Sequence, residues 1–206
     1  MPNHRGTRRT ILRAAAAAAV ACALPALAQQ AVRLRGTIES LSDTKLVLRE
    51  RSGQRIELAI PPTLVVTEVF PATLTDVKAG SFIGVGAMPQ ADGSQRAIAV
   101  TIFPEAMRGT GEGHRPFDFL PQSTMTNATV ADVVAAPDGR RLEVAYQDGK
   151  KTIVVPPEAP VVSLRPGDRS LLAVGGGAVS LTAQEVNGQP TVTRLSAGRN
   201  GFAPPY

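Results

Sequence analysis

GTIESLSDTKLVLRERSGQRIELAIPPTLVV, residues 36–66, is a run of short segments in which apolar and polar side chains alternate between turn residues. A period of two puts the apolar side chains on one face of a strand, and it is clear over residues 46–49 and 55–60. Ser52-Gly53 supplies a residue that tolerates positive φ, as a tight hairpin turn requires. Pro61-Pro62 ends the third segment, because neither nitrogen can donate to a sheet. The stretch therefore predicts three short strands.

The same pattern recurs at residues 128–162, ATVADVVAAPDGRRLEVAYQDGKKTIVVPPEAPVV. Matching features keep their order and lie 92 to 97 residues apart: Thr37-Ile38 and Thr129-Val130, Leu46 and Leu142, Gly53 and Gly149, Pro61-Pro62 and Pro156-Pro157, Gly80 and Gly177. The length differences fall at turns. Prolines, turn glycines and valine pairs in one order predict an internal duplication.

Each copy is predicted to hold five strands, in the first copy at about 32–41, 45–51, 54–60, 81–88 and 95–103. Between the third and fourth, Thr73 and Asp76 predict a capped helical turn that Gly80 ends. Three strands, a helical turn and two strands is the order of an OB-like barrel. We therefore predict an all-β protein of two tandem OB-like barrels, residues 29–103 and 123–206, joined by an ordered connector over 104–122. A β-sandwich shared by the two copies is the alternative.

Residues 1–28 have the pattern of a signal peptide. A basic start is followed by an alanine-rich apolar stretch and an Ala-x-Ala cleavage signal at 26–28. Residues 7–13, TRRTILR, resemble a twin-arginine export signal, with general secretion as the alternative. Cys22 lacks the leucine three positions earlier that a lipoprotein signal has. These features predict a periplasmic protein that is not a lipoprotein.

Removal of this segment changes the charge balance. Residues 1–28 contain four arginines and no acid, so the remainder has 22 − 4 = 18 basic and 17 acidic residues, a net charge of +1. Such a chain has no strong field for nucleic acid, and the only cysteine, Cys22, is lost as well. No later segment is long and apolar enough for a transmembrane helix. We therefore expect neither nucleic-acid binding nor a membrane span.

The two copies, the connector IFPEAMRGTGEGHRPFDF (102–119) and the following STMTNATV (123–130) resemble an uncharacterised family of secreted bacterial proteins with an OB-like domain of unknown function. The resemblance extends over nearly all of the chain after residue 28. It implies the fold and carries no activity.

The connector belongs to neither copy and concentrates polar side chains. The candidate ligand-binding residues are Glu105, Arg108, Glu112, His114, Arg115 and Asp118. Among them Glu112, His114 and Asp118 are donors suited to a divalent metal ion, although their spacing matches no zinc signature. A connector whose polar groups are merely solvated is the alternative. Apolar Met107, Phe117, Phe119 and Leu120 predict that the segment docks in the groove between the barrels.

A catalytic pattern is not visible. After residue 28 the chain has no cysteine, no Ser/His/Asp arrangement and no paired carboxylates at catalytic spacing. We therefore predict an exported, non-enzymatic periplasmic binding or interaction protein whose partner is an envelope protein or a small ligand, with no cofactor. The alternative is a metal-binding accessory protein of the cell envelope that uses the connector. Ligand identity and oligomeric state stay open.

Overall fold

The computed structural model describes residues 31–137 and 139–206, so the predicted signal peptide lies outside the described residues. The described residues form thirteen β-strands and three single-turn 3-10 helices. The strands are β1 Val32–Leu41, β2 Lys45–Glu50, β3 Arg55–Ala59, β4 Val65–Ala72, β5 Phe82–Pro89, β6 Gln95–Ile102, β7 Gly113–Pro116, β8 Thr124–Ala136, β9 Gly139–Tyr146, β10 Gly149–Val155, β11 Val161–Pro166, β12 Val179–Val186 and β13 Gln189–Ala197. The 3-10 helices are Leu74–Asp76, Glu105–Met107 and Arg169–Leu171.

The strands form one sheet that closes on itself at both ends. Its order is β10-β9-β8-β5-β6-β11-β4-β13-β12-β1-β2-β3, with β7 added beside β8. At one end β10 pairs with β6 and closes a five-stranded barrel; at the other β13 pairs with β3 and closes a second five-stranded circuit. The all-β, OB-like class is thereby confirmed, and the shared β-sandwich is not what forms.

Each circuit combines strands from both sides of the connector. The first consists of β1, β2 and β3 with β12 and β13, and the second of β8, β9 and β10 with β5 and β6. Strands β4 and β11 cross between the circuits and pair antiparallel, from Val161 opposite Ala72 to Pro166 opposite Thr67. The predicted units 29–103 and 123–206 therefore do not each form one barrel, because the last two strands of each unit pair with the first three strands of the other.

The two halves repeat the same irregularities. A register shift lies between Ile38 and Ser40 in β1 and between residues 130 and 132 in β8. A second lies between residues 86 and 87 in β5 and between residues 182 and 183 in β12. A 3-10 helix follows both crossing strands, at Leu74–Asp76 and at Arg169–Leu171. These matches favour internal duplication, which stays a prediction.

Each circuit has its own core with contributions from both halves. In the first, Ile38 and Leu48 pack in one cluster with Leu181 and Leu195. In the second, Ile83 and Val85 share a cluster with Leu142, Val144 and Ile153. Burial of such a side chain stabilises the fold by about 1.5–3 kcal/mol. The exchange of strands therefore ties the two halves together through both cores.

The predicted helical turn is confirmed, whereas β4 had not been predicted. The backbone N–H and the hydroxyl of Thr73 both donate to Oδ2 of Asp76, at 2.8 and 2.7 Å. The turn ends at Asp76 with Val77 as its C-cap, so Gly80, which has a φ of +86°, lies beyond its end and does not terminate it as predicted. The five strands predicted for the first copy match the observed bounds within two residues. Strand β4 was not predicted because Pro71 has no backbone N–H to donate to a neighbouring strand. In the structure Pro71 lies opposite Val162 of the other crossing strand.

Candidate functional site

A cavity of about 720 Å³ lies where the two circuits, the crossing strands and the connector meet. Its walls are largely apolar. They include Val69 of β4, Leu164 of β11, Leu181 of β12, and Phe103 and Phe117 from the two ends of the connector. Strands β1 and β12 of one circuit and strands β5 and β8 of the other all contribute residues to its lining.

The charged residues that line this cavity are all arginines. They are Arg33, Arg35, Arg115, Arg165 and Arg194, and no Asp or Glu stands among the described residues that line it. Two carboxylates outside the lining contact some of them. Asp118 pairs with Arg33 and Arg35, and Glu68 pairs with Arg165. The cavity wall therefore has an excess of positive charge.

Among the arginines that form ion pairs in the described part of the chain, Arg35 of β1 has the most enclosed side chain. Its side chain is 12% exposed, and its two terminal nitrogens donate to Asp118 at 2.8 and 3.3 Å. Its Nε is buried and has no hydrogen-bond partner among the described residues. The guanidinium also lies over the ring of Phe117, 5.5 Å from its centroid. Arg35 therefore keeps one donor unused, at a buried atom that the open space of the cavity does not reach.

Asp118 is a single carboxylate shared by two guanidinium groups. Arg33 Nη1 lies 3.4 Å from Oδ1, in addition to the closer Arg35 contact. Partial burial acts to raise the pKa of Asp118, but the hydrogen bond from Arg35 and the charges of Arg35 and Arg33 together hold it below its ordinary value. Asp118 is therefore ionised at neutral pH and offsets one of the two arginine charges.

Asn127 of β8 occupies the position in the second half that Arg35 occupies in the first. Arg35 lies opposite Ser180 of β12, and Asn127 lies opposite Gly84 of β5. Asn127 is only 5% exposed; its Nδ2 donates to the Thr110 carbonyl at 2.9 Å, and its Oδ1 has no partner among the described residues. A buried polar atom without a partner is costly in a folded protein. The two such side-chain atoms in the described structure thus belong to residues that line this one cavity.

Arg115 and Arg194 have no ion-pair partner in the part of the chain that the structure describes. Arg115 lies on β7 opposite Met125 of β8, and its Nη1 donates to the Gly111 carbonyl at 2.7 Å. Burial, and then the charge of Arg33, lower the pKa of Arg115 from its ordinary value. One guanidinium therefore feels the repulsion of another, which is the sign of a locally positive potential.

The sequence-predicted connector residues divide between the cavity and local contacts. Arg115 lines the cavity, and Asp118 contacts two arginines that do. Glu105 and Arg108 pair with each other at 2.6 Å, and Arg108 also donates to the Gly80 carbonyl at 2.9 Å. This pair anchors the connector to the loop before β5, and neither of its residues lines the cavity.

Glu112 and His114 also have partners of their own. Oε1 of Glu112 accepts from the backbone N–H of Gln147 at 3.0 Å. Nδ1 of His114 forms a hydrogen bond of 2.8 Å with the hydroxyl of Thr126, and burial followed by the charge of Lys151 lowers the His114 pKa. Within residues 31–137 and 139–206, no three His, Cys, Asp or Glu side chains are grouped so as to hold a metal ion. Binding of a divalent metal by Glu112, His114 and Asp118 stays a prediction, without support from their contacts.

Aromatic side chains close the cavity where the connector meets residues 204–206. The ring of Phe117 lies 6.1 Å from that of Phe119 and 5.2 Å from that of Tyr206. The hydroxyl of Tyr206 forms a 3.0 Å hydrogen bond with Thr101 Oγ1. Phe117 is buried as predicted, whereas Leu120 is 44% exposed and does not dock. Tyr206 packs against Phe117 and Phe119 at this place.

The residues that sequence reasoning missed lie outside the connector. Arg33 and Arg35 stand at alternate positions of β1, Arg194 lies in β13, and Asn127 lies in β8. The alternation in VRLRG was a usable signal, because it puts both arginines on one strand face opposite the apolar residues. Nothing in the sequence placed that face beside Arg115 and Arg194.

Comparison with protein-family models, with curated proteins and with solved structures gave no match. The resemblance to a family of secreted OB-like proteins therefore stays a prediction. Among the described residues, no helix is long and apolar enough to cross a membrane.

Proposed function

We propose that this protein is an exported, periplasmic, non-enzymatic binding protein that holds a small ligand in the cavity between its two circuits. The observation that carries the proposal is the cavity itself, about 720 Å³ in volume, whose walls are apolar over most of their area and also present polar side chains. Small-molecule sites in proteins typically have volumes of roughly 300–1,000 Å³ and this kind of lining. A ligand of modest size would fill it.

The chemistry of the lining supports binding over catalysis. Among the described lining residues, the ionisable side chains are the five arginines and Tyr206. An arginine stays protonated in proteins, so it does not exchange protons with a substrate. A general acid or base with a pKa near neutral pH has no candidate in this lining. Charged donors and apolar surface are suited to retaining a ligand.

Export is supported by the pattern of residues 1–28, which lie outside the described residues. Fractionation of cells that produce the full chain tests it. We expect the processed protein in the periplasmic fraction. Replacement of Arg8 and Arg9 by lysine separates the two routes: retention in the cytoplasm indicates the twin-arginine route, and unchanged export indicates general secretion.

A titration with the neutral fluorescent probe N-phenyl-1-naphthylamine tests cavity binding in the protein without residues 1–28. We expect saturable fluorescence enhancement. Thr182→Trp should abolish it, because Thr182 lines the cavity and an indole would occupy the space. Gln184→Trp is the matched control, since Gln184 is an exposed residue of the same strand. Absence of saturable binding, or equal binding by both variants, would refute the proposal.

A further inference from the structure

We infer that the ligand of this cavity is an organic anion, in which a carboxylate, sulfonate or phosphate group is attached to an apolar body. This inference rests on the proposed function, since it names the class of molecule that the same site selects. Three independent features of the lining lead to it: the charge balance, the unused hydrogen-bonding groups and the apolar walls.

The charge balance requires an anion. Six arginines line the cavity or share a carboxylate with one that does: Arg33, Arg35, Arg115, Arg165, Arg194 and Arg199. Two carboxylates, Asp118 and Glu68, contact them. The local balance is 6 − 2 = +4, whereas residues 29–206 together carry 18 − 17 = +1. The residues around the cavity therefore hold an excess of positive charge in an otherwise nearly neutral protein. Arg35 is its enclosed member, whereas the side chains of Arg33 and Arg165 are 45% and 54% exposed.

The hydrogen-bonding groups specify where the anionic group binds. Asp118 engages the two terminal nitrogens of Arg35, and its Nε is buried, so the donors open to a ligand belong to other arginines. Arg115 uses one nitrogen on the Gly111 carbonyl, so its remaining donors are available, and Arg194 has no side-chain partner in the described part of the chain. Guanidinium donors match the geometry of carboxylate, sulfonate and phosphate oxygens. The anionic group therefore binds on the arginine side of the cavity.

The apolar walls specify the rest of the ligand. Phe103, Phe117, Met125, Leu164 and Leu181 all line the cavity. An inorganic ion would leave these walls in contact with water, and a neutral apolar molecule would separate the arginines from water without compensating their charge. A molecule with an anionic group and an apolar body can contact both the arginines and the apolar walls. A polymer such as nucleic acid fits poorly, because the space holds only a small molecule.

Two matched probes test this inference on the protein without residues 1–28. The first is the neutral N-phenyl-1-naphthylamine, and the second is 1-anilinonaphthalene-8-sulfonate, which has the same aromatic body with a sulfonate added. We expect the sulfonate to bind about tenfold more tightly, since charge-assisted hydrogen bonds are roughly twice as strong as neutral ones. Its advantage should shrink between low salt and 0.5 M NaCl, because screening weakens ionic contacts.

Variants assign the preference to the cavity. Arg115→Gln should remove most of the sulfonate's advantage over the neutral probe, measured as the ratio of the two affinities, and Arg194→Gln should act in the same way. Lys150→Gln is the control, since Lys150 is an exposed cation of β10 that does not line the cavity. Thermal melting of each variant verifies that it is folded, because the sulfonate also binds partly unfolded chains.

The outcomes separate the two claims. If neither probe binds saturably, the proposed function fails. If both bind equally and Arg115→Gln and Arg194→Gln change neither, the cavity binds ligands but the inference of an anion is overturned. If Lys150→Gln reduces sulfonate binding as much as Arg115→Gln does, the preference is a general charge effect, and the inference is likewise overturned.

Discussion

Cleavage of the connector should leave the two halves of this protein associated. We would insert a protease recognition sequence after Gly109. This residue is exposed in a turn, and a side chain at its position would meet no other atom within 4 Å. Cleavage then separates β1–β6 from β7–β13 in the covalent chain. Because each five-stranded circuit contains strands from both fragments, neither fragment can complete a barrel alone.

The cores give the magnitude of this effect. Six large aliphatic side chains of the second half enter the first core: Leu171, Leu172, Val179, Leu181, Val192 and Leu195. At about 1.5–3 kcal/mol for each buried side chain, their withdrawal costs roughly 9–18 kcal/mol, an upper bound because unfolded chains already bury some surface. The second core adds a comparable amount. Two free fragments lose about 4–15 kcal/mol of translational and rotational freedom on association, so the complex should persist at micromolar concentration.

Size-exclusion chromatography with light scattering before and after cleavage measures the result. We expect one species of unchanged mass that separates into two fragments only in denaturant, with a single cooperative melting transition. The uncut protein and a sample cleaved in denaturant are the controls. Two fragments that elute separately, each folded and each with its own melting transition, would refute the exchanged topology.

Three further changes test the charges around the cavity and the connector. Asp118→Asn removes the carboxylate shared by Arg33 and Arg35, so affinity for the sulfonate probe should rise severalfold; unchanged affinity would contradict the excess of positive charge. Hydrogen bonds from Arg165 and Arg199 lower the pKa of Glu68 from 4.5 to about 2, so the stability that it contributes is complete above pH 4.5 and is lost as the pH falls towards 2. Glu68→Gln should lower Tm at pH 7 and flatten its dependence on pH over that window; an unchanged slope would contradict this. The pKa of His114 is lowered from 6.5, chiefly by burial, so the unfolded chain takes up the proton at a higher pH than the folded protein does. Tm should therefore fall as the pH drops below 6.5. His114→Gln should remove that part of the pH dependence of Tm, and an equal pH dependence in the variant would argue against this reasoning.

The succession of strands along the chain can be predicted from turn residues and from alternating side chains. The pairing of strands from one half with strands from the other cannot. Turn glycines and alternating side chains predict the bounds of β1, β2 and β3 and of their counterparts in the second half. In the observed structure β1 pairs with β12 of the other half. If each half formed its own barrel, β1 would pair instead with β5, the strand of its own half that corresponds to β12. Val85 and Leu181, which lie at matching positions of β5 and β12, are both buried and apolar. Because either partner gives β1 an equivalent apolar face, local pattern cannot distinguish the two topologies.

The candidate site is a consequence of that choice of partners. The density of polar residues in the connector pointed to Arg115, which lines the cavity, and to Asp118, which contacts two lining arginines. It gave equal weight to Glu112, whose carboxylate is already used by the backbone of Gln147. Which polar groups remain unused depends on contacts between distant segments. The Nε of Arg35 and the Oδ1 of Asn127 have no partner because both atoms are buried at the junction of the two circuits. The two residues are far apart in sequence, so the sequence does not indicate that they line the same cavity.

Net charge carries no information about position. A sum of +1 over residues 29–206 predicts a weak overall field, but it says nothing of how the charges are distributed. Away from the cavity, acids are paired with bases: Glu39 contacts both Arg49 and Arg55, and Glu57 contacts Lys45. Carboxylates spent on such exposed pairs cannot neutralise the arginines at the junction. A nearly neutral protein thus carries an excess of arginine along one cavity, and the proposal of an anionic ligand rests on this local imbalance.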